Sequence, residues 1–126
     1  MPYLVDTDVL IDVSRNNEAA IDFLDHLDDS WSMSIITALE LIVGARNKEE
    51  VTQIDQLIAA YSATPLTAEI GNLSYGLLRQ FAKSHGLRVF DSLIAATALA
   101  ENLTLVTKNK KHFQMISTLK LGIPSY

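Results

Sequence analysis

Cysteine is absent from the 126 residues, which excludes both disulfides and thiolate metal sites. Long apolar runs are absent too. The longest, Ser92 to Ala100, is far too short to cross a bilayer and contains Ser92 and Thr97. The opening residues, Met1-Pro2-Tyr3-Leu4-Val5-Asp6, have neither the charged region nor the apolar region of a secretory signal. A cytoplasmic protein with no membrane partner is therefore expected. Basic residues are in deficit, ten Lys and Arg against fifteen Asp and Glu, for a net charge of −5. That argues against sequence-independent nucleic-acid binding through bulk charge. A nuclease is not excluded, because an active site built of carboxylates adds to the deficit until metal ions bind it. No internal repeat, low-complexity tract or linker is found. What is present is the balance of an ordinary globule, 48% apolar and 20% charged. The length suits one domain with one core, residues 1–126.

The periodicity alternates between extended and helical. Tyr3-Leu4-Val5 is an apolar run closed by Asp6 and reads as a buried strand. Val9 to Ser14 reads as a short helix stopped by Asn16-Asn17, and Glu18 to Leu27 has helical spacing. After the turn Asp28-Asp29-Ser30, Ser32 to Ile35 alternates as a strand, and Thr37 is placed to cap a helix from Ala38 to Arg46. Glu49 to Tyr61 is helical, and Ala63 to Leu66 is a short strand that Pro65 keeps near an edge. Thr67 caps a long helix that ends at His85-Gly86, where glycine can take the left-handed conformation. Val89-Phe90 then leads to Asp91, which opens an apolar helix to Glu101. Leu103 to Val106 is a strand, Lys108 to Phe113 a basic turn, and Leu119 to Ile123 a final strand. This alternation implies an α/β fold with a mostly parallel sheet covered on both faces. Sites in such sheets form outside the carboxyl ends of the strands.

Three acids stand apart from the polar stretches that hold most of the others: Asp6, Glu40 and Asp91. Asp6 ends the first strand, Glu40 sits inside Ile35 to Val43, and Asp91 lies between Val89-Phe90 and Leu93-Ile94. An isolated carboxylate in a low dielectric costs several kcal/mol, by order of magnitude, unless a counter-charge meets it. Carboxylates gathered together need a cation, and hard oxygen ligands favour Mg²⁺ or Mn²⁺. Glu40 would lie one turn into the helix after the Met33 strand, so that all three acids crowd one edge of the sheet. Asp6 and Asp91 can equally be read as helix caps, and Glu40 as a solvent-facing side chain. Asp8 reads as a local hydrogen-bonding residue close to the site.

Four segments, in order, resemble the PIN domain, and specifically VapC-like toxins. They are Leu4-Val5-Asp6-Thr7-Asp8-Val9-Leu10-Ile11; Ile36-Thr37-Ala38-Leu39-Glu40-Leu41 with Gly44; Phe90-Asp91-Ser92-Leu93-Ile94-Ala95-Ala96-Thr97-Ala98; and Leu105-Val106-Thr107-Lys108-Asn109-Lys110-Lys111-His112-Phe113. The resemblance spans essentially the whole chain. It implies an α/β/α sandwich, usually a homodimer, that cleaves RNA endonucleolytically and is held inactive by a cognate antitoxin. Asp6, Glu40 and Asp91 would be the catalytic, metal-binding acids. Thr7 and Thr107 would hydrogen-bond within the site, with Asp8 and Asn109 supporting it. Asn109, and His112 before Phe113, stand where relatives often carry acids, which puts a second metal ion in doubt. Metal-assisted phosphodiester hydrolysis is then expected, with Lys108, Lys110 and Lys111 available to the RNA backbone. His112 would contact phosphate or lie idle at the surface.

Three other readings compete. Asp6-Thr7-Asp8 fits the nucleophile pattern of Asp-x-Asp phosphatases, but those enzymes need a late pair of acids and only Glu101 follows Asp91. A receiver domain lacks its phosphoacceptor at the end of the central strand. A catalytically impaired PIN-fold binding module would explain the missing fourth acid, but not three acids that are costly to keep.

Overall fold

Leu4 and Val5 are consecutive and both fully buried. In a strand, neighbouring side chains face opposite sides of the sheet, so this pair requires cover on both faces. A computed structural model describing residues 2–126 provides it. The elements run β1 (Tyr3–Val5), α1 (Thr7–Ser14), α2 (Glu18–Asp25), β2 (Trp31–Ser34), α3 (Ile35–Gly44), α4 (Lys48–Tyr61), β3 (Ala63–Thr64), α5 (Ala68–His85), α6 (Val89–Ala100), β4 (Thr104–Val106), α7 (Lys110–Phe113) and β5 (Leu121–Gly122). The five strands lie in the order β3-β2-β1-β4-β5, and every pairing is parallel. The fold is an α/β/α sandwich, as expected.

The register sorts the two layers. Leu4 sits opposite Leu105, and both join one cluster with Ile94, Ala95 and Ala98 of α6 and with Phe113. Val5 sits opposite Val106, and both join the other cluster with Val9 and Leu10 of α1, Leu24 of α2 and Ile54 of α4. α3 contributes Ile36 to the first cluster and Ala38 and Leu41 to the second. Before it crosses to β4, the chain makes two successive helices, α5 and α6, which pack closely and share a buried hydrogen bond between Ser74 and Ser92 of 2.6 Å.

Helix starts are set by side-chain caps. Asn17, Asn47 and Thr67 accept from Ala20, Glu50 and Ile70 backbone N–H groups at 3.1, 2.9 and 3.2 Å. Gly86 ends α5 at φ +70°, as the sequence suggests. Other boundaries move. α3 is capped by Ser34, whose Oγ accepts from Ile36 N at 3.0 Å, so Thr37 is not the cap and the helix ends at Gly44. Asp6 caps α1, which starts at Thr7 rather than Val9. Val89 and Phe90 are helical; Arg88 is the cap residue of α6, and Asp91 lies inside the first turn. The basic turn closes into the short helix α7, and the final strand shrinks to Leu121–Gly122.

Candidate active site

The carboxyl end of β1 delivers Asp6 and the first turn of α1 delivers Thr7 and Asp8. The second turn of α3 brings Glu40, and the first turn of α6 brings Asp91. All four acids line one cleft of about 350 Å³, together with Thr7, Ile11, Arg88, Val89, Phe90, Asn109 and His112. Convergence of Asp6, Glu40 and Asp91 on one edge of the sheet was the central expectation; the three line this one cleft, and Asp8, expected only as a local hydrogen-bonding residue, lines it too. Their route differs from expectation in one respect. Asp91 arrives on a helix that precedes β4 and does not follow a strand end.

Asp6, Asp8 and Glu40 are each held by a hydroxyl or a backbone amide from a distant part of the chain. Asp6 is 5% exposed. Its Oδ1 accepts from Thr7 N at 2.8 Å and its Oδ2 from the Thr107 hydroxyl at 2.8 Å. Asp8 Oδ2 accepts from Lys108 N at 3.0 Å, and the Thr107 hydroxyl stands 3.4 Å away. Asn109 N donates to Thr107 Oγ1 at 3.0 Å, which orients that hydroxyl toward Asp6. The Thr7 hydroxyl donates to Glu40 Oε1 at 2.7 Å and lies 2.9 Å from Thr37 Oγ1. Because Thr7 has one proton and gives it to Glu40, Thr37 is the donor in that pair. His112 Nδ1 stands 3.4 Å from Asp91 Oδ2.

Electrostatics follow from burial and crowding. The Asp6 carboxyl is pushed up to about 7, first by burial and then by the charge of Asp8, with a smaller push from Asp91; the hydrogen bonds from Thr107 and Thr7 oppose it. Asp8 is raised mainly by burial, opposed by the Lys108 amide and charge. Asp91 is raised by burial, opposed by His112 and Arg88. This is an anionic cleft short of counter-charge.

A hard divalent cation fits the donor set. Every acid supplies carboxylate oxygen, and Asp8 Oδ1 is buried without a hydrogen-bond partner among the described residues. Also among the described residues, no three His, Asp or Glu side chains already close on a single point. The acids line walls of a cleft, which suits an ion that keeps several of its waters.

A model of the PIN domain matches residues 3–117. The chain belongs to the PIN-domain family. It is 37% identical to "Ribonuclease VapC10" of Mycobacterium tuberculosis over 120 residues, 93% of this chain and 90% of the relative. It resembles a solved toxin–antitoxin complex from Klebsiella pneumoniae at TM-score 0.82 and 26% identity, covering 97% of each chain. It also resembles VapBC2 from Rickettsia felis, solved bound to a promoter DNA fragment, at TM-score 0.82 and 29% identity, covering 98% of each chain. The PIN assignment replaces the phosphatase and receiver readings.

The PIN cleft departs from the sequence reading over its basic residues. Lys108, Lys110 and Lys111 are exposed, and none of them lines the cleft. The Lys108 ammonium instead meets Asp12 Oδ2 at 2.5 Å and lies 5.6 Å from the Tyr126 ring centre. Arg88 does line the cleft and was missed, as were Phe90 and Thr37. A signal for Arg88 existed. It lies three residues before Asp91, a spacing that puts both on one side of a helix once the helix is started at Val89 rather than at Asp91. Thr37 likewise precedes Glu40 by three.

Proposed function

We propose that this PIN domain, taken as one unit over residues 1–126, is a divalent-metal-dependent endoribonuclease, the toxin of a toxin–antitoxin pair. The observation that carries it is the cleft shared by Asp6, Asp8, Glu40 and Asp91, in which burial and mutual repulsion raise Asp6 to about 7. Asp6, Asp91 and Asp8 through its unpartnered Oδ1 would hold Mg²⁺, or Mn²⁺, with Glu40 directly or through water. The chemistry such an ion supplies is polarisation of a phosphoryl oxygen and neutralisation of the charge that develops in the displacement.

The chain's own residues do the positioning. Thr107 and the Thr7 amide hold both oxygens of Asp6, so its carboxylate has one orientation. Thr7, itself held by Thr37, fixes Glu40 through Oε1 and leaves Oε2 to accept a proton or a water hydrogen bond. Asn109 acts on the site through its backbone, by fixing the Thr107 hydroxyl. A rigid frame of this kind reduces the reorganisation needed as charge moves.

The related toxin–antitoxin complexes support a cognate antitoxin as protein partner, and the relatives named ribonuclease support RNA as substrate; a cytoplasmic homodimer completes the proposal. Among the described residues no helix is long and apolar enough to cross a membrane. The test is cleavage of a labelled single-stranded RNA by the purified protein. Cutting in Mg²⁺ or Mn²⁺ that stops in EDTA, and in Asp6→Asn and Asp91→Asn variants that keep their fold, supports the reading. Undiminished cutting by either variant rejects the site. No cutting by the native protein with any divalent ion favours the catalytically impaired binding module.

A further inference from the structure

Beside the carboxylate cleft lies a second, apolar slot of about 310 Å³, and the two share Glu40 and Phe90 as walls. Leu39 and Val43 form much of the slot, and they are 55% and 86% exposed, with Phe90 at 55%. Arg88, on the cleft wall, is exposed, and its side chain makes no hydrogen bond or ion pair among the described residues, although its charge reaches Asp91. Among the described residues it is the one permanently cationic side chain lining the cleft. The Lys108 ammonium is committed to Asp12. A cation free to take phosphate, an exposed ring next to it and an apolar recess continuous with the acids match the needs of unpaired RNA. Single strands are held by phosphate contacts and by stacking of splayed bases on aromatic faces, whereas paired bases present no face to stack.

We propose that Arg88, Phe90 and the slot walls Leu39 and Val43 form a nucleotide subsite beside the scissile bond. Arg88 holds a backbone phosphate, and Phe90 stacks one unpaired base of a single-stranded RNA against the apolar slot. The subsite rests on the ribonuclease reading and adds to it where the neighbouring nucleotide sits. Because the slot offers almost no polar wall, it selects for an unpaired base rather than for a particular base.

The experiment measures binding in Mg²⁺ by fluorescence anisotropy, in an Asp91→Asn background that prevents cutting. The probes are a short single-stranded oligoribonucleotide and a set of the same oligomer with one abasic position each. Phe90→Ala is expected to weaken binding of the intact oligomer roughly tenfold. Phe90→Tyr, which keeps the ring, restores it. For one abasic oligomer the Phe90→Ala loss should vanish, an effect that general loosening of the fold would not produce. Arg88→Ala should lower the slope of log affinity against log salt by about 0.7. Binding of the intact oligomer unchanged by Phe90→Ala, or a loss equal for every abasic oligomer, overturns the subsite. So does a shift from dimer to monomer in Phe90→Ala and Val43→Glu without change in RNA affinity, which would assign the surface to a second copy of the chain. If the native protein neither cuts nor binds RNA, the ribonuclease reading itself fails and takes the subsite with it.

Discussion

Asp6 accepts hydrogen bonds on both oxygens, yet burial and Asp8 raise its carboxyl to about 7. The consequence for stability has a definite sign. An acid whose folded pKa lies above its unfolded value binds more protons in the native state between the two values, so stability falls as pH rises through that window. For the metal-free protein the window runs from the ordinary carboxylate value of 3.8 up to about 7. Thermal melts in EDTA are expected to show native protein losing stability from pH 4 to pH 7 and levelling above. Asp6→Asn removes the penalty, so it should melt higher than native at pH 8, with the gap closing toward pH 5. A variant that melts lower at pH 8 would remove crowding as the cause. The same residue accepts a bond from Thr107, and Thr107→Val should reduce divalent-ion affinity, measured by calorimetry without RNA, while both Asp6 and Asp8 lose the hydroxyl beside them.

At the scale of elements, the start of α3 separates two roles that the sequence reading had merged. Ser34 caps the helix, and Thr37 holds Thr7 and, through it, Glu40. Ser34→Ala should therefore cost about 1 kcal/mol of stability with little effect on cleavage, whereas Thr37→Val should reduce cleavage at nearly native Tm. The reverse pattern would restore Thr37 as the cap. The error had a physical source. Ser34 and Thr37 are both good cap residues, and the apolar run Ile35-Ile36 continues a strand pattern as readily as it begins a helix. Asp91 was displaced for a related reason, since Val89-Phe90 suits an extended segment until tertiary packing makes it helical. The β4–α7 turn gives a third case. Lysine-rich turns read as surface, and only the fold places Asp12 and Tyr126 beside Lys108, where the Tyr126 hydroxyl and the Lys108 ammonium both donate to Asp12 Oδ2. That ion pair is partly exposed and screened, so Lys108→Ala should cost under about 1 kcal/mol. Its effect on the salt dependence of RNA binding should be nil, unlike that of Arg88→Ala.

For the whole molecule, parallel topology and the meeting of Asp6, Glu40 and Asp91 were legible because both follow from isolated features: alternating periodicity, and acids standing alone in apolar segments. What was not legible are relations between segments far apart, such as Thr107 with Asp6 or Thr7 with Glu40, which no local pattern encodes. A cleft short of cations also makes a global prediction. A divalent ion that binds only the folded form should stabilise it by about 2.7 kcal/mol at one hundred times its dissociation constant, and EDTA should reverse the rise in Tm. A Tm indifferent to Mg²⁺ and Mn²⁺ alike would contradict the ion site.

The hydroxyl that steadies Asp6 belongs to a residue 101 positions later, and β4, the strand beside β1, follows every acid of the cleft in chain order. A growing polypeptide already holding every acid of the cleft therefore still lacks the strand and threonine that set them in place. Synthesis from the amino end thus delivers the acids first and their alignment afterwards, so a truncation just before β4 should retain all four carboxylates and lose the frame that orients Asp6.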